Sequence, residues 1–258
     1  MKRSAFLTAS AIALAAMTAA PTFAQEAPAE NATAASQETE GPNRTFTGQD
    51  LFDLAYASDP QISPDGETIL YVRRQNDIMT DRANASIWKI DVSSGEQVPF
   101  AAGESSAFSP RWSPDGTRVA YVSTEGGSAQ MWVKWLEGGE QVKLTGLPNS
   151  PSAMAWSPDG RTIAYTMLVN DAAPKLGSAP SNRPEGAKWA EPLNITDLVN
   201  FRADGAGELK PGYAKIFAVP ATGGSPRQLT FGKTHDSGPL SWTPDGKSIV
   251  FNANRSED

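Results

Sequence analysis

The 258-residue sequence has no cysteine and a single histidine. Without cysteine there is no disulfide framework, thiolate zinc site, thiol nucleophile or cysteine-held iron–sulfur cluster. One histidine excludes a multi-histidine metal centre. Positive charge is scarce too: 22 Lys and Arg stand against 29 Asp and Glu, a net charge of −7. That balance argues against a nucleic-acid partner, which calls for a basic face. Turn residues, by contrast, are plentiful. The 22 glycines and 20 prolines argue for many short elements joined by tight turns, not for a helical bundle.

The one long apolar run is N-terminal. Lys2 and Arg3 precede the uncharged, alanine-rich stretch from Ala5 to Ala20, and Thr22-Phe23-Ala24 has the small residues of a cleavage site. This is a secretory signal pattern over 1–24, with a cut expected after Ala24. The run is too short and too weakly apolar for a good membrane span, so no membrane contact is expected once it is removed. Loss of Lys2 and Arg3 leaves 20 basic against 29 acidic residues, a net −9. Residues 25–43 are mostly Ala, Glu, Pro, Thr and Ser. They bury too little surface to offset their ordering entropy and read as a disordered linker. Order is expected from near Thr45, in a periplasmic or secreted protein.

The strongest internal signal is a turn used four times: Ser63-Pro64-Asp65-Gly66, Ser113-Pro114-Asp115-Gly116, Ser157-Pro158-Asp159-Gly160 and Thr243-Pro244-Asp245-Gly246, at spacings of 50, 44 and 86. Proline presets φ, the Ser or Thr and the Asp bond to nearby amides, and Gly takes the left-handed conformation that closes a hairpin. An apolar run follows each turn, such as Ile69-Leu70-Tyr71-Val72 and Val119-Ala120-Tyr121-Val122. Trp112, Trp156 and Trp242 directly precede three of the turns. Two further strands follow in the first three units, joined by Ser94-Gly95, Gly138-Gly139 and Gly223-Gly224. Four antiparallel strands per unit make a β-propeller blade, and the lack of crossover helices excludes a parallel α/β sheet. The expectation is an all-β, partial propeller over 44–258, with blades near 56–102, 106–146 and 151–231 and an incomplete one at 237–258. The recurrent aromatics are expected between blades, and the turn aspartates are expected to brace their turns, not to bind calcium.

The third blade carries an insertion over 168–212. Its first half is proline-rich (Pro174, Pro180, Pro184, Pro192), and 195–205 reads as an extra strand entering a turn. Near the start, Thr47 is placed to cap a short helix with Asp50 in its first turn.

The fourth unit stops after its first two strands. Propellers close with roughly 4 to 8 blades, so the chain reads as part of a longer protein, some three and a half blades in the 215 residues after signal and linker. Catalytic groups are missing as well. The nearest string to the G-x-S-x-G elbow, Gly103-Glu104-Ser105-Ser106-Ala107, ends in Ala and lies in a blade connection. The sole histidine, His235, lies in a loop before the fourth blade. No phosphate loop, framed carboxylate pair or metal cluster is visible, so no catalytic residue, cofactor or metal is expected.

Four features together resemble the N-terminal propeller of prolyl oligopeptidase-family serine peptidases, on the acylaminoacyl-peptidase and dipeptidyl-peptidase side. They are the opening Asp50-Leu51-Phe52 through Ser58-Asp59-Pro60-Gln61-Ile62, the SPDG turns with their Trp, the Arg202-Ala203-Asp204-Gly205 insertion, and the blade ending Ile216-Phe217-Ala218-Val219-Pro220 through Gly223-Gly224 to Arg227-Gln228-Leu229-Thr230. The resemblance covers 45–258. It implies that this propeller gates peptide access to an α/β-hydrolase domain whose serine, histidine and aspartate are not in this sequence. The chain itself is then expected to filter and not to hydrolyse. On the same ground Arg202 and Asp204 are candidate contacts to the peptide substrate, with a salt bridge bracing turn and strand as the competing role. A TolB-like periplasmic propeller acting as a protein-binding platform is the alternative, though such proteins normally carry an α/β domain ahead of the blades.

Overall fold

Each SPDG turn is built from its own side chains. In the computed structural model, which describes residues 45–172 and 207–255 together with 182, 184–189, 195 and 199–204, all four turns share one hydrogen-bond pattern. The first residue's hydroxyl donates to the Asp carboxylate: Ser63 to Asp65 at 2.5 Å, Ser113 to Asp115 at 2.5 Å, Ser157 to Asp159 at 2.6 Å and Thr243 to Asp245 at 2.6 Å. The same hydroxyl accepts the amide five residues on, for example Thr68 N–H at 2.9 Å. The Asp oxygen accepts the amide two residues on, for example Glu67 N–H at 3.0 Å. The turn glycines sit at φ of 66° to 79°, where a Cβ is disfavoured. The expected signal segment 1–24, the linker 25–43 and most of the proline-rich half of the insertion lie outside the described residues.

These hydrogen bonds hold the turn carboxyls of Asp65, Asp115, Asp159 and Asp245 below the usual range, the preceding hydroxyl being the largest cause. Asp91, bonded by Ser93 and Ser94, is lowered to about 2. A depressed folded pKa contributes stability above the unfolded value, and that contribution is lost as pH falls through the folded one. Melting temperature is therefore expected to change little between about pH 7 and pH 5 and to fall below about pH 4. Thermal melts across that range check it, and Asp65→Asn should remove part of the acid slope.

The turns set up antiparallel sheets. Strands β1 (Ala55–Ile62), β2 (Thr68–Asp77), β3 (Arg82–Asp91) and β4 (Gln97–Ala101) form blade 1 in chain order. Blade 2 is β5 (Ala107–Trp112), β6 (Arg118–Ser123), β7 (Gln130–Trp135) and β8 (Gln141–Lys143). Blade 3 joins β9 (Ser152–Trp156) to β10 (Thr162–Asn170). It then leaves the sheet, forms the small hairpin β11 (Arg202–Ala203) and β12 (Gly207–Glu208), and returns as β13 (Gly212–Pro220) and β14 (Arg227–Gln228). A two-stranded sheet follows, β15 (Asp236–Trp242) with β16 (Ile249–Ala253). First strands of successive blades touch, β1 with β5, β5 with β9 and β9 with β15, so they form the inner wall around the axis, as in a β-propeller. No helix among the described residues is long and apolar enough to cross a membrane.

The core lies between blades, and strand alternation explains why. On β6, Val119 and Tyr121 face blade 1 and pack with Leu70, Val72 and Ile87. Their neighbours Ala120 and Val122 face blade 3 and pack with Trp156, Ile163 and Tyr165. On β10, Ala164 faces the other way, toward Ile216 and Leu240. Successive side chains on a strand point to opposite faces. A strand sandwiched between two blades is therefore apolar at nearly every position, as β6 is.

The tryptophans before the turns link each blade to its predecessor. The indole N–H of Trp112 donates to Gln61 O at 3.1 Å, that of Trp156 to Arg111 O at 3.0 Å and that of Trp242 to Ala155 O at 3.1 Å. Each acceptor lies two residues before the preceding SPDG turn. Arg118 adds a second link from blade 2 to blade 3, donating to Gly160 O at 2.9 Å with its guanidinium 4.9 Å from the Trp156 ring.

Three expectations need correction. The short helix α1 (Asp50–Asp53) has Gln49 at its N-cap with no side-chain cap. Thr47 lies two residues before that cap, and its amide and hydroxyl instead donate to the Asp50 carboxylate, at 2.7 and 2.8 Å. Of the strand read over 195–205, the described residues show Arg202–Ala203, paired with Gly207–Glu208. The insertion is narrower than 168–212, because β10 and β13 stay paired out to Asn170 and Gly212.

Candidate functional site

The inner wall carries a feature that recurs in every blade. Pairing of the first and second strands slips between Ser58 and Gln61, between Phe108 and Arg111, between Ser152 and Ala155, and between Ser237 and Ser241. At each slip one residue has positive φ: Asp59 (49°), Ser109 (55°), Ala153 (47°) and Gly238 (85°). A bulge bends the strand and interrupts its ladder, here at one level around the axis. Proline follows in three cases (Pro60, Pro110, Pro239) and supplies no amide to the ladder. The Asp-Pro, Ser-Pro and Gly-Pro pairs shortly before the turns were the available sequence signal for these bulges.

Two of the bulges are joined by charge. Arg111 Nη1 donates to both Asp59 oxygens, at 3.0 and 2.8 Å, and to Pro110 O at 2.6 Å. Gln61 Nε2 donates to Asp59 Oδ1 at 2.8 Å. Both side chains of the pair are 28% exposed. An ion pair this wet contributes only about 0–1 kcal/mol, so blade cohesion does not depend on it. The positions matching Arg111 in blade 3 and the two-stranded sheet are Ala155 and Ser241. At the level of Arg111 the wall is thus charged on the side of blades 1 and 2 and uncharged on the other.

A second polar cluster sits where blade 3 meets the following sheet. Lys215 is 2% exposed, and its ammonium donates to Asp236 Oδ2 at 2.9 Å, to Thr234 O at 2.5 Å and to Phe231 O at 3.3 Å. Arg255 approaches the other Asp236 oxygen at 2.7 Å. Burial works against the Asp236 charge, but hydrogen bonds from Lys215 and Thr230 and the two nearby cations outweigh it and keep the carboxyl below its usual range. Beside this junction an open cavity of about 460 Å³ is lined by Ile216, Ala218, Leu229, Trp242, Ile249 and Phe251.

The side chains with possible acid–base chemistry are committed elsewhere. His235 Nδ1 accepts Ala214 N–H at 3.2 Å, and its ring leans on Tyr213. The string 103–107 forms the connection into β5 and precedes no helix; there Ser106 Oγ accepts Ala85 N–H at 3.2 Å. Burial pushes Tyr165 up to about 12, and burial with the Glu125 charge pushes Tyr121 up to about 12, so both stay protonated at neutral pH. Among the described residues, His235 and Ser106 are thus hydrogen-bonded to backbone amides and not to each other.

Arg202 and Asp204 lie on the exposed small hairpin of the insertion, where Arg202 pairs in register with Glu208. They are not brought to the axial pair. That pair, Asp59 with Arg111, escaped sequence reasoning because its members are 52 positions apart.

Comparison with known proteins gives a consistent set of relatives. The model of the dipeptidyl peptidase IV N-terminal region matches residues 63–191. The peptidase YuxL of Bacillus subtilis is 34% identical over 214 residues, covering 83% of this chain and 32% of that protein. Dipeptidyl-peptidase 5 of Porphyromonas gingivalis is 31% identical over 88 residues, 32% of this chain and 13% of that protein. The chain therefore spans a third or less of the length of these curated relatives. The Pyrococcus horikoshii acylaminoacyl peptidase shares the fold, with a TM-score of 0.56 at 20% identity over 78% of this chain and 28% of that one.

Proposed function

Because the chain belongs to the family of dipeptidyl peptidase IV N-terminal regions, the propeller part of prolyl oligopeptidase-family peptidases, we propose that it is the substrate-gating propeller of an exported serine peptidase acting on short peptides. The family match across the first three SPDG turns is the observation that carries this reading. Blades tied by indole hydrogen bonds support this reading, and the closed ring of the whole protein is expected to enclose an axial passage that admits slender chains and excludes folded ones. Hydrolysis belongs to an α/β-hydrolase domain of the whole protein, with a serine nucleophile, a histidine base and an aspartate that orients it. Export rests on the signal pattern at 1–24. Arg202 and Asp204, exposed on the insertion, are candidate peptide contacts.

Expression of the full reading frame, followed by labelling with a fluorophosphonate probe, tests the reading. The expected result is an exported protein that begins at Gln25, labels at one serine and cleaves short peptides but not folded proteins. The 258-residue chain alone should not label. Alanine at Arg202 or Asp204 is expected to raise KM for peptides without altering labelling. A full-length product with further blades and no labelling would overturn the peptidase reading in favour of a binding platform.

A further inference from the structure

We propose that Arg111 is a specificity-determining residue that binds a carboxylate of the peptide at the propeller axis; this rests on the reading that peptides pass through the propeller. A guanidinium carries five N–H donors in a planar fork. Arg111 commits Nη1 to Asp59 and to Pro110 O. Its Nε and Nη2 donate to nothing among the described residues. Those two atoms form the edge that grips a carboxylate with two parallel hydrogen bonds. The side chain is 28% exposed and stands on β5, a strand of the inner wall.

Asp59 is the positioning residue. It occupies a left-handed backbone conformation, φ 49°, which glycine would adopt more readily and which glycine does adopt at the matching bulge, Gly238. From there its carboxylate, itself held by Gln61 at 2.8 Å, fixes the Arg111 fork through Nη1 and leaves the Nε–Nη2 edge uncommitted among the described residues. The matching inner-wall positions are Gln61, Ala155 and Ser241, all uncharged, so Arg111 is the cation of this level among the described residues. A peptide amide offers its carbonyl oxygen to that edge but no charge, which makes the site a discriminator between free-acid and blocked peptides.

The test measures binding apart from catalysis. The full-length protein, treated with a fluorophosphonate to block hydrolysis, is titrated by tryptophan fluorescence with Ala-Ala-Ala as free acid, with Ala-Ala-Ala amide and with Ala-Asp-Ala amide. The free acid should bind about tenfold tighter than the amide, the factor expected of a charge-assisted hydrogen bond. Tight binding of Ala-Asp-Ala amide as well would mark any peptide carboxylate as the ligand; its absence would mark the C-terminus. Arg111→Gln should bring acid and amide within about twofold, and Arg111→Lys, which keeps the charge but loses the fork, should fall between. Asp59→Asn should keep the acid preference while loosening both ligands. Equal binding of acid and amide by the unmutated protein overturns the proposal and leaves the peptidase reading standing. An acid preference in a protein that labels with no fluorophosphonate keeps the Arg111 site and removes the peptidase reading instead.

Discussion

Asp236→Ala is expected to lower stability by roughly 3–5 kcal/mol, the usual cost of removing one partner of a buried ion pair. The substitution leaves the Lys215 ammonium, 2% exposed, with only the Phe231 and Thr234 carbonyls. Two carbonyl dipoles do not replace a full negative charge for a cation that water cannot reach. Arg255 loses its carboxylate but keeps the Thr234 hydroxyl and, at 53% exposure, water, so its loss costs little. The double variant Lys215→Met, Asp236→Leu should recover most of the loss, because removing both charges also removes their desolvation cost. Urea midpoints with an unchanged denaturant slope provide the measurement. A single-variant loss under about 0.5 kcal/mol, the range of an ordinary surface change, would show that the cluster does not hold this junction.

Trp156→Ala should be comparably damaging, with an expected loss of about 3–5 kcal/mol. The ring packs between blades 2 and 3 with Val133, Ile163 and Tyr165, so truncation opens a cavity that the rigid sheets on either side do not close. It also leaves Arg111 O without its indole donor and removes the ring beneath Arg118. Trp156→Phe separates the contributions: most of the packing stays, and the lost hydrogen bond alone costs about 1 kcal/mol. Equal losses for Phe and Ala would mean that the indole N–H dominates and the packed ring adds little. The matched change Trp242→Ala should cost less, because Trp242 is only half-buried and borders the 460 Å³ cavity.

The parts of this molecule that follow from short-range chemistry were legible before any coordinates. Ser, Pro, Asp and Gly in sequence leave one sensible turn, and the structure repeats it four times with nearly the same hydrogen bonds. The apolar runs after the turns became the second strands, and the tryptophans before them became the links between blades. The misreadings fell where local preferences compete. The helix cap falls two residues after Thr47, whose amide and hydroxyl donate to the Asp50 carboxylate. Within 195–205, Arg202–Ala203 is the strand among the described residues, and its partner Gly207–Glu208 lies just beyond the segment.

By itself, the sequence determined the repeat and the strand order within a blade, because each depends on residues close in the chain. Only the tertiary structure decided which charges meet. Asp59 reaches Arg111 across 52 positions and Lys215 reaches Asp236 across 21, through bulges and blade junctions that no periodicity encodes. The physical reason is range. A turn is closed by hydrogen bonds among neighbours, whereas a pairing between blades depends on the angle at which two sheets pack, and that angle is set by every side chain between them.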